Sequence, residues 1–199
     1  MAEILAFNRW SCEGIAVEDP GLIKYVSVKP RIVPKTGARY AGSRFHKSKI
    51  FIVERLINRL MVTGHRSKKH RISSGQFTGK ATENYATVKE AFEIIEKETK
   101  QNPILVFVKA LEHAAPREEL VAIEYGGARY PKAVECSPQR RVDTVLKLMT
   151  QGAFQKSFSK KTTIAKSLAR EIISAYYLSN DSVAVSKKLE LERQADSSR

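Results

Sequence analysis

Cysteine is scarce in this chain of 199 residues: Cys12 and Cys136 are the whole supply. Two cysteines cannot build a disulfide framework. Neither has a thiol or His partner at metal-ligand spacing, and Cys-x-x-Cys and His-Glu-x-x-His are both missing, so no zinc site is expected. Of the four histidines, His46, His65 and His70 lie in basic stretches, which suits nucleic-acid contact or plain solvation. His113, beside Glu112, reads as structural. No apolar run approaches 18 residues, so nothing spans a membrane. The first residues carry Glu3 where a signal peptide needs a basic flank. No Gly-x-Ser-x-Gly is present, and the carboxylates of 83–98 and 112–124 read as solvated helix faces and a strand edge. Gly75-Gln-Phe-Thr-Gly79-Lys80-Ala81 departs from a phosphate-binding loop: three residues separate the glycines where four are required, and Ala81 replaces the magnesium-binding hydroxyl. These absences predict a soluble, intracellular protein with no cofactor, metal, membrane partner or small-molecule substrate, and an enzyme stays open only because catalytic triads are not sequence-local.

What is abundant is positive charge, and it is segregated. The formal net charge is +14. Residues 31–80 hold 13 cations against one acid, and residues 136–170 hold eight against one. The rest of the chain is slightly acidic. A merely soluble surface intersperses the two signs, whereas two concentrated blocks are the footprint of a nucleic acid. An anionic membrane would require a basic amphipathic helix. Residues 31–47 are instead broken by Pro34, Gly37 and Gly42.

The periodicity predicts a mainly α protein: a bundle of about six helices, a protruding two-stranded β-ribbon, and an irregular basic N-terminal arm. Residues 1–47 form the extension and arm, with 26–28 and 31–33 as candidate extended pieces. Residues 48–199 form the helical domain, which the charge marks as nucleic-acid-binding and which carries the ribbon at 119–136. Ile50, Val53, Leu56, Ile57, Leu60 and Met61 mark one face of a first helix over 48–63. A second runs to about Lys100 with Thr82 or Asn84 as its cap and an outer Glu93–Lys97 pair. Asn102-Pro103 starts a third, apolar nearly all round to about Ala114 and expected to be the buried central helix. Residues 119–136 switch to a period of two around Gly126-Gly127, a hairpin signal that sets Glu124 opposite Arg129 and Ile123 opposite Tyr130. Pro131 makes this a lone ribbon, marginal in water without support at its distal end. Ser137-Pro138 opens a fourth helix, expected to stop at Gly152. Thr162 or Thr163 opens a fifth, and the last covers about 181–195.

Three clusters single themselves out. Arg39-Tyr40-Ala-Gly-Ser-Arg44-Phe45-His46-Lys47-Ser-Lys49 alternates cations with aromatics, the composition that grips phosphates and stacks on bases. Packing of Tyr40 and Phe45 into the core is the competing reading. His65-Arg66-Ser67-Lys68-Lys69-His70-Arg71 is a basic run that a solvated loop would also explain. Arg140 and Arg141 stand in the first turn of a helix, where cations oppose the helix dipole unless an anion shares the site.

Those residues also resemble a known family. Ile52-Val-Glu-Arg-Leu-Ile-Asn-Arg-Leu-Met-Val-Thr-Gly64, Asn102-Pro103 followed by Lys109-Ala-Leu-Glu-His-Ala-Ala-Pro-Arg117, and the ribbon followed by Ser137-Pro-Gln-Arg140-Arg141 are similar to the small-subunit ribosomal protein seven family. The match covers nearly all of 31–199 in order. Asn8-Arg-Trp10, Asp19-Pro-Gly-Leu22 and the charged tail from Lys187 resemble its archaeal and eukaryotic members. The resemblance implies binding to the 3′ major domain of small-subunit ribosomal RNA and early organisation of the head. It also implies a ribbon at the exit site, near transfer RNA and messenger RNA, and a carboxy-terminal part that meets small-subunit ribosomal protein eleven among other head proteins.

The expected RNA-binding residues are Lys35, Arg39, Tyr40, Arg44, His46, Lys47 and Lys49 of the arm; Arg66, Lys68, Lys69, Arg71 and Lys80 of the loop; and Arg140, Arg141, Lys156, Lys160 and Lys161. Tyr125, Gly126, Gly127, Arg129, Tyr130 and Lys132 form the expected exit-site ribbon. A DNA-binding helical protein, with Arg140 and Arg141 on a recognition helix, is the rival reading.

Overall fold

A computed structural model describes residues 4–37, 39, 41–64 and 77–198. Among them the chain forms six α-helices and one antiparallel ribbon. The order is α1 (Ile52–Leu60), α2 (Ala81–Thr99), α3 (Pro103–Ala114), β1 (Glu118–Tyr125), β2 (Ala128–Glu135), α4 (Pro138–Ser157), α5 (Ile164–Tyr176) and α6 (Val183–Asp196). One 3₁₀ turn, His46–Lys49, precedes α1. The expected mainly α fold with a protruding ribbon is the observed one. α3 is buried along most of its length, as its all-round apolar sequence requires. The helix that α2, α3 and α4 all pack against, however, is α5. Its buried face, Ala165, Leu168, Ala169, Ile172 and Ala175, is rich in alanine and permits three close neighbours.

Several boundaries differ from the sequence reading for identifiable reasons. The first helix is shorter than 48–63, because the backbone at Phe51 is extended and forms a parallel bridge with Ser27. The Ile52 amide donates to the Ser27 carbonyl at 2.9 Å, so the helix starts only after that pairing. α2 begins at Ala81 without a side-chain cap. Asn84 instead donates Nδ2 to the Lys80 and Phe77 carbonyls at 2.7 and 3.1 Å, tying down the preceding turn. Glu93 reaches Arg9 of the arm at 3.4 Å, a partner that i,i+4 reasoning cannot find. α4 runs through Gly152 to Ser157. A Cβ at Gly152 would lie 3.0 Å from the Val183 side chain and 3.2 Å from that of Glu171, so this glycine permits close packing of α4 on α5 and α6 instead of ending a helix. Thr163 is the α5 cap, accepting from the Lys166 amide, and Ser182 caps α6.

The N-terminal segment has no helix or named strand among its described residues before His46, yet it is anchored. Ala6, Trp10, Leu22 and Val26 are buried in the same apolar cluster as the helices. Thr36 donates both its amide and its hydroxyl to buried Glu54 of α1, each at 2.7 Å. Of the two candidate extended pieces, only 26–28 pairs, through Ser27; Ile32 and Val33 stand exposed in a bend.

β1 and β2 pair in the expected register, Glu124 opposite Arg129 and Ile123 opposite Tyr130. Gly126 and Gly127 both take positive φ, 58° and 84°, which a two-residue turn of this hand demands. The ribbon is the whole sheet, and its base rests on α6. Both strands are exposed from residue 121 to residue 132.

Candidate nucleic-acid interface

The two basic blocks meet at an open cleft of about 1000 Å³ between the arm, α1, α4 and α6. His46 and Lys47 from the arm and Arg140 from α4 line it, so the structure joins expected residues of two blocks that are far apart in sequence. It adds four cations that the sequence reading passed over: Arg55 and Arg59 of α1, Lys147 of α4 and Lys187 of α6. A signal for the first two was available. Like charges four apart on a helix repel, so Arg55 and Arg59 call for a shared anion. That anion is Asp143, the lone acid of the second block. Arg55 is 5% exposed and donates to Asp143 Oδ1 at 3.0 Å and to the Tyr25 carbonyl at 2.9 Å. Lys47 Nζ lies 3.2 Å from Asp143 Oδ2. Burial lowers the pKa of both Arg55 and Arg59, the Asp143 carboxylate offsets only part of that, and both remain cations at neutral pH.

Arg140 and Arg141 show how an unfavourable helix start is tolerated. The anion they require is supplied by the protein itself. Arg140 Nε lies 2.7 Å from Glu119 Oε1 and donates to Oε2 at 2.9 Å, joining α4 to the base of the ribbon while most of its side chain stays exposed. Arg141 turns inward. It is 8% exposed, reaches Asp19 Oδ2 at 2.7 Å, and donates Nε to the Pro116 carbonyl at 3.1 Å. Burial raises the Asp19 pKa, but hydrogen bonds from Arg141 and the Gly21 amide and the charges of Arg141 and Arg117 outweigh it and leave it lowered. Cys136 sits beside the Glu119–Arg140 pair; burial and the Glu119 charge push its thiol up to about 11.

Lys156 is also committed inside the fold. Its Nζ lies 2.7 Å from Glu171 Oε2 and donates to the Asp181 carbonyl at 2.7 Å. Glu171 is fully buried and accepts from Ser182 as well, so this ion pair joins α4, α5 and the start of α6. Lys160 and Lys161 are exposed in the α4–α5 loop. Lys80 is exposed, 3.6 Å from Glu83. The Phe77 ring of its turn meets Phe154 near the end of α4. Lys35, Arg39, Arg44 and Lys49 are all exposed on the arm. Tyr40, Arg66, Lys68, Lys69 and Arg71 lie outside the described residues.

Phe45 is not a core residue. It is 50% exposed, and its φ of 56° is left-handed, an uncommon state for a bulky side chain. The Arg44 guanidinium lies over its ring, 5.1 Å from the centroid. At the ribbon tip, Tyr125 and Tyr130 are 80% and 59% exposed. Arg129 and Glu124 pair across the strands at 3.6 Å, and Lys132 is exposed. His113 is structural: Nδ1 lies 2.8 Å from the Tyr176 carbonyl oxygen.

No helix among the described residues is long and apolar enough to cross a membrane. Fold and charge together define a basic helical protein with a lone projecting ribbon. A profile of the family described as ribosomal protein S7p/S5e matches residues 22–199. The small ribosomal subunit protein uS7 of Nanoarchaeum equitans is 54% identical over 193 residues, 97% of this chain and 98% of that protein. Its counterpart in Archaeoglobus fulgidus is 46% identical over 99% of this chain and 96% of that protein. That in Methanothermobacter thermautotrophicus is 45% identical over 97% and 98%. The chain belongs to the ribosomal protein S7p/S5e family, as a member of archaeal type. It is a structural protein of the small ribosomal subunit and not an enzyme, and its cytoplasmic place follows from that membership.

Proposed function

We propose that this protein binds the 3′ major domain of small-subunit ribosomal RNA, organises assembly of the head, and lines the exit site through its ribbon. The observation that carries the reading is the division of the surface. Cations from two distant sequence blocks converge on one cleft, while the ribbon extends from α6 with its tip uncovered. The cleft and the exposed arm cations Lys35, Arg39, Arg44, Lys47 and Lys49, with His46, hold RNA phosphates. Arg140 joins them, and Lys80, Lys160 and Lys161 extend the contact along the far end of α4. Arg141 and Lys156 act by holding the helices that present these groups. Tyr40, Arg66, Lys68, Lys69 and Arg71 belong to the same proposal on sequence grounds alone. Tyr125, Gly126, Gly127, Arg129, Tyr130 and Lys132 face exit-site transfer RNA and messenger RNA. Small-subunit ribosomal protein eleven and other head proteins are the protein partners.

The test is binding of the full chain to a transcript of the 3′ major domain across a salt series. If six to ten phosphates are neutralised, affinity falls by about 10³–10⁵ between 50 and 200 mM salt. A salt-insensitive affinity, or a preference for duplex DNA in competition, overturns the reading.

A further inference from the structure

We propose that the cleft between the arm, α1 and α4 holds one unpaired nucleotide of the bound RNA, its base stacked on Phe45 and its phosphate at Arg59 and Arg140. The inference rests on the RNA-binding reading above and adds what kind of RNA feature the cleft accepts. Four independent observations converge on it. The volume, about 1000 Å³, is at the upper end of the range in which pockets enclose whole small organic ligands, about 300–1,000 Å³. Phe45 lines this cleft with a half-exposed ring and a left-handed backbone. That conformation is costly for a bulky residue and persists where the surroundings over-determine it, as at ligand clamps. The Arg44 guanidinium already lies over this ring, which makes the pair a cation–aromatic platform of the type on which RNA bases stack.

The third observation is unused hydrogen-bonding capacity. Arg55 and Arg59 line the cleft, and the Nε of each is buried without a hydrogen-bond partner among the described residues. A buried donor left unpaired is costly, so a turn of the half-buried Arg59 guanidinium toward an anionic oxygen in the cleft gains a partner it lacks in the free protein. The fourth is that neutral groups stand among the cations: Asn58, Gln139 and Thr144 also line the cleft. Amides and hydroxyls present donors and acceptors together, which suits the mixed edge of a base better than a phosphate.

The experiment uses the full chain and a 3′ major domain transcript. Ultraviolet crosslinking of the wild-type complex, read by mass spectrometry and by nucleotide-resolution primer extension, joins the peptide containing Phe45 to one unpaired nucleotide. Phe45→Leu, which keeps apolar bulk and removes the stacking face, weakens binding about 5- to 150-fold, the range expected for loss of one base–aromatic stack. Phe45→Trp restores it. In a transcript carrying an abasic position at the crosslinked nucleotide, the wild type shows the same loss and Phe45→Leu adds nothing further. Strong, salt-sensitive binding without a crosslink at Phe45 overturns the inference and leaves the RNA-binding reading standing. Additive losses from Phe45→Leu and the abasic transcript do the same. Failure of the wild-type chain to bind the transcript overturns both. The crosslink requires no substitution, so the inference stays testable even if Phe45→Leu does not fold.

Discussion

The two basic blocks look alike in sequence and differ in what the fold does with them. The first, residues 31–80, keeps Lys35, Arg39, Arg44 and Lys49 exposed on an irregular arm. The second, residues 136–170, commits Arg141 to Asp19 and Lys156 to buried Glu171, and leaves Arg140 mostly exposed while it pairs with Glu119. The physical reason is the secondary structure around each. A Pro- and Gly-broken arm runs over the surface, and most of its side chains meet water. α4 packs against α1, α3, α5 and α6, so Arg141 is desolvated and Lys156 reaches a desolvated carboxylate, and a desolvated charge requires a partner of opposite sign. Charge density along a chain therefore locates a polyanion footprint without saying which cations reach the polyanion.

The largest effect expected from breaking this contrast is on stability. Lys156→Met strips the counter-charge from a fully buried carboxylate and costs about 3 kcal/mol in urea unfolding, the lower end for a broken buried pair because the lysine itself is partly exposed. An unchanged midpoint with weakened RNA binding would return Lys156 to the RNA-facing set. Arg141→Ala costs about as much, since Asp19 and the Pro116 carbonyl lose their partner together. Arg140→Ala, next to it in sequence, changes stability by less than about 1 kcal/mol, because its pair is largely exposed. In RNA titrations Arg140→Ala reduces the salt slope by about one, and Arg141→Ala leaves that slope unchanged while the fold persists. Equal behaviour of the two arginines would erase the distinction between an inward and an outward cation.

A smaller effect sharpens the same point by pH. The Asp19 pKa is lowered in the fold, so its pairing stabilises the protein above the ordinary carboxylate value near 3.8 and is lost as pH falls through the lower folded value. Asp19→Asn removes that part of the acid limb, and urea midpoints measured from pH 6 to pH 2 become flatter. The smallest stability effect is at the ribbon tip. Replacing residues 124–129 by a minimal two-residue turn leaves the unfolding midpoint and the affinity for the 3′ major domain nearly unchanged, because no helix among the described residues covers that tip. It disturbs transfer RNA occupancy of the exit site in reconstituted subunits. Loss of ribosomal RNA binding on that change would join the ribbon to the cleft as one interface.

Periodicity and local chemistry alone determined most of the architecture. The apolar spacing of α1 to α5, Asn102-Pro103 at the start of α3, and Gly126-Gly127 between two alternating runs are signals that act over a few residues, and the structure keeps them. Local signals failed where a distant group decided the outcome. Gly152 reads as a helix stop until Val183 and Glu171 press against it. Arg9 takes Glu93 from 84 positions away, and Ser27 delays the start of α1. The candidate interface divides the same way. Its charge and its aromatic arm were legible, because composition survives folding. Lys147 and Lys187 were not, and Arg55 and Arg59 showed only as a like-charged pair in need of an anion, because a cleft is made by elements that meet only in three dimensions. Which cations face a ligand and which hold the fold together was decided by tertiary structure, since only burial sets whether a charge needs a partner and only packing supplies one.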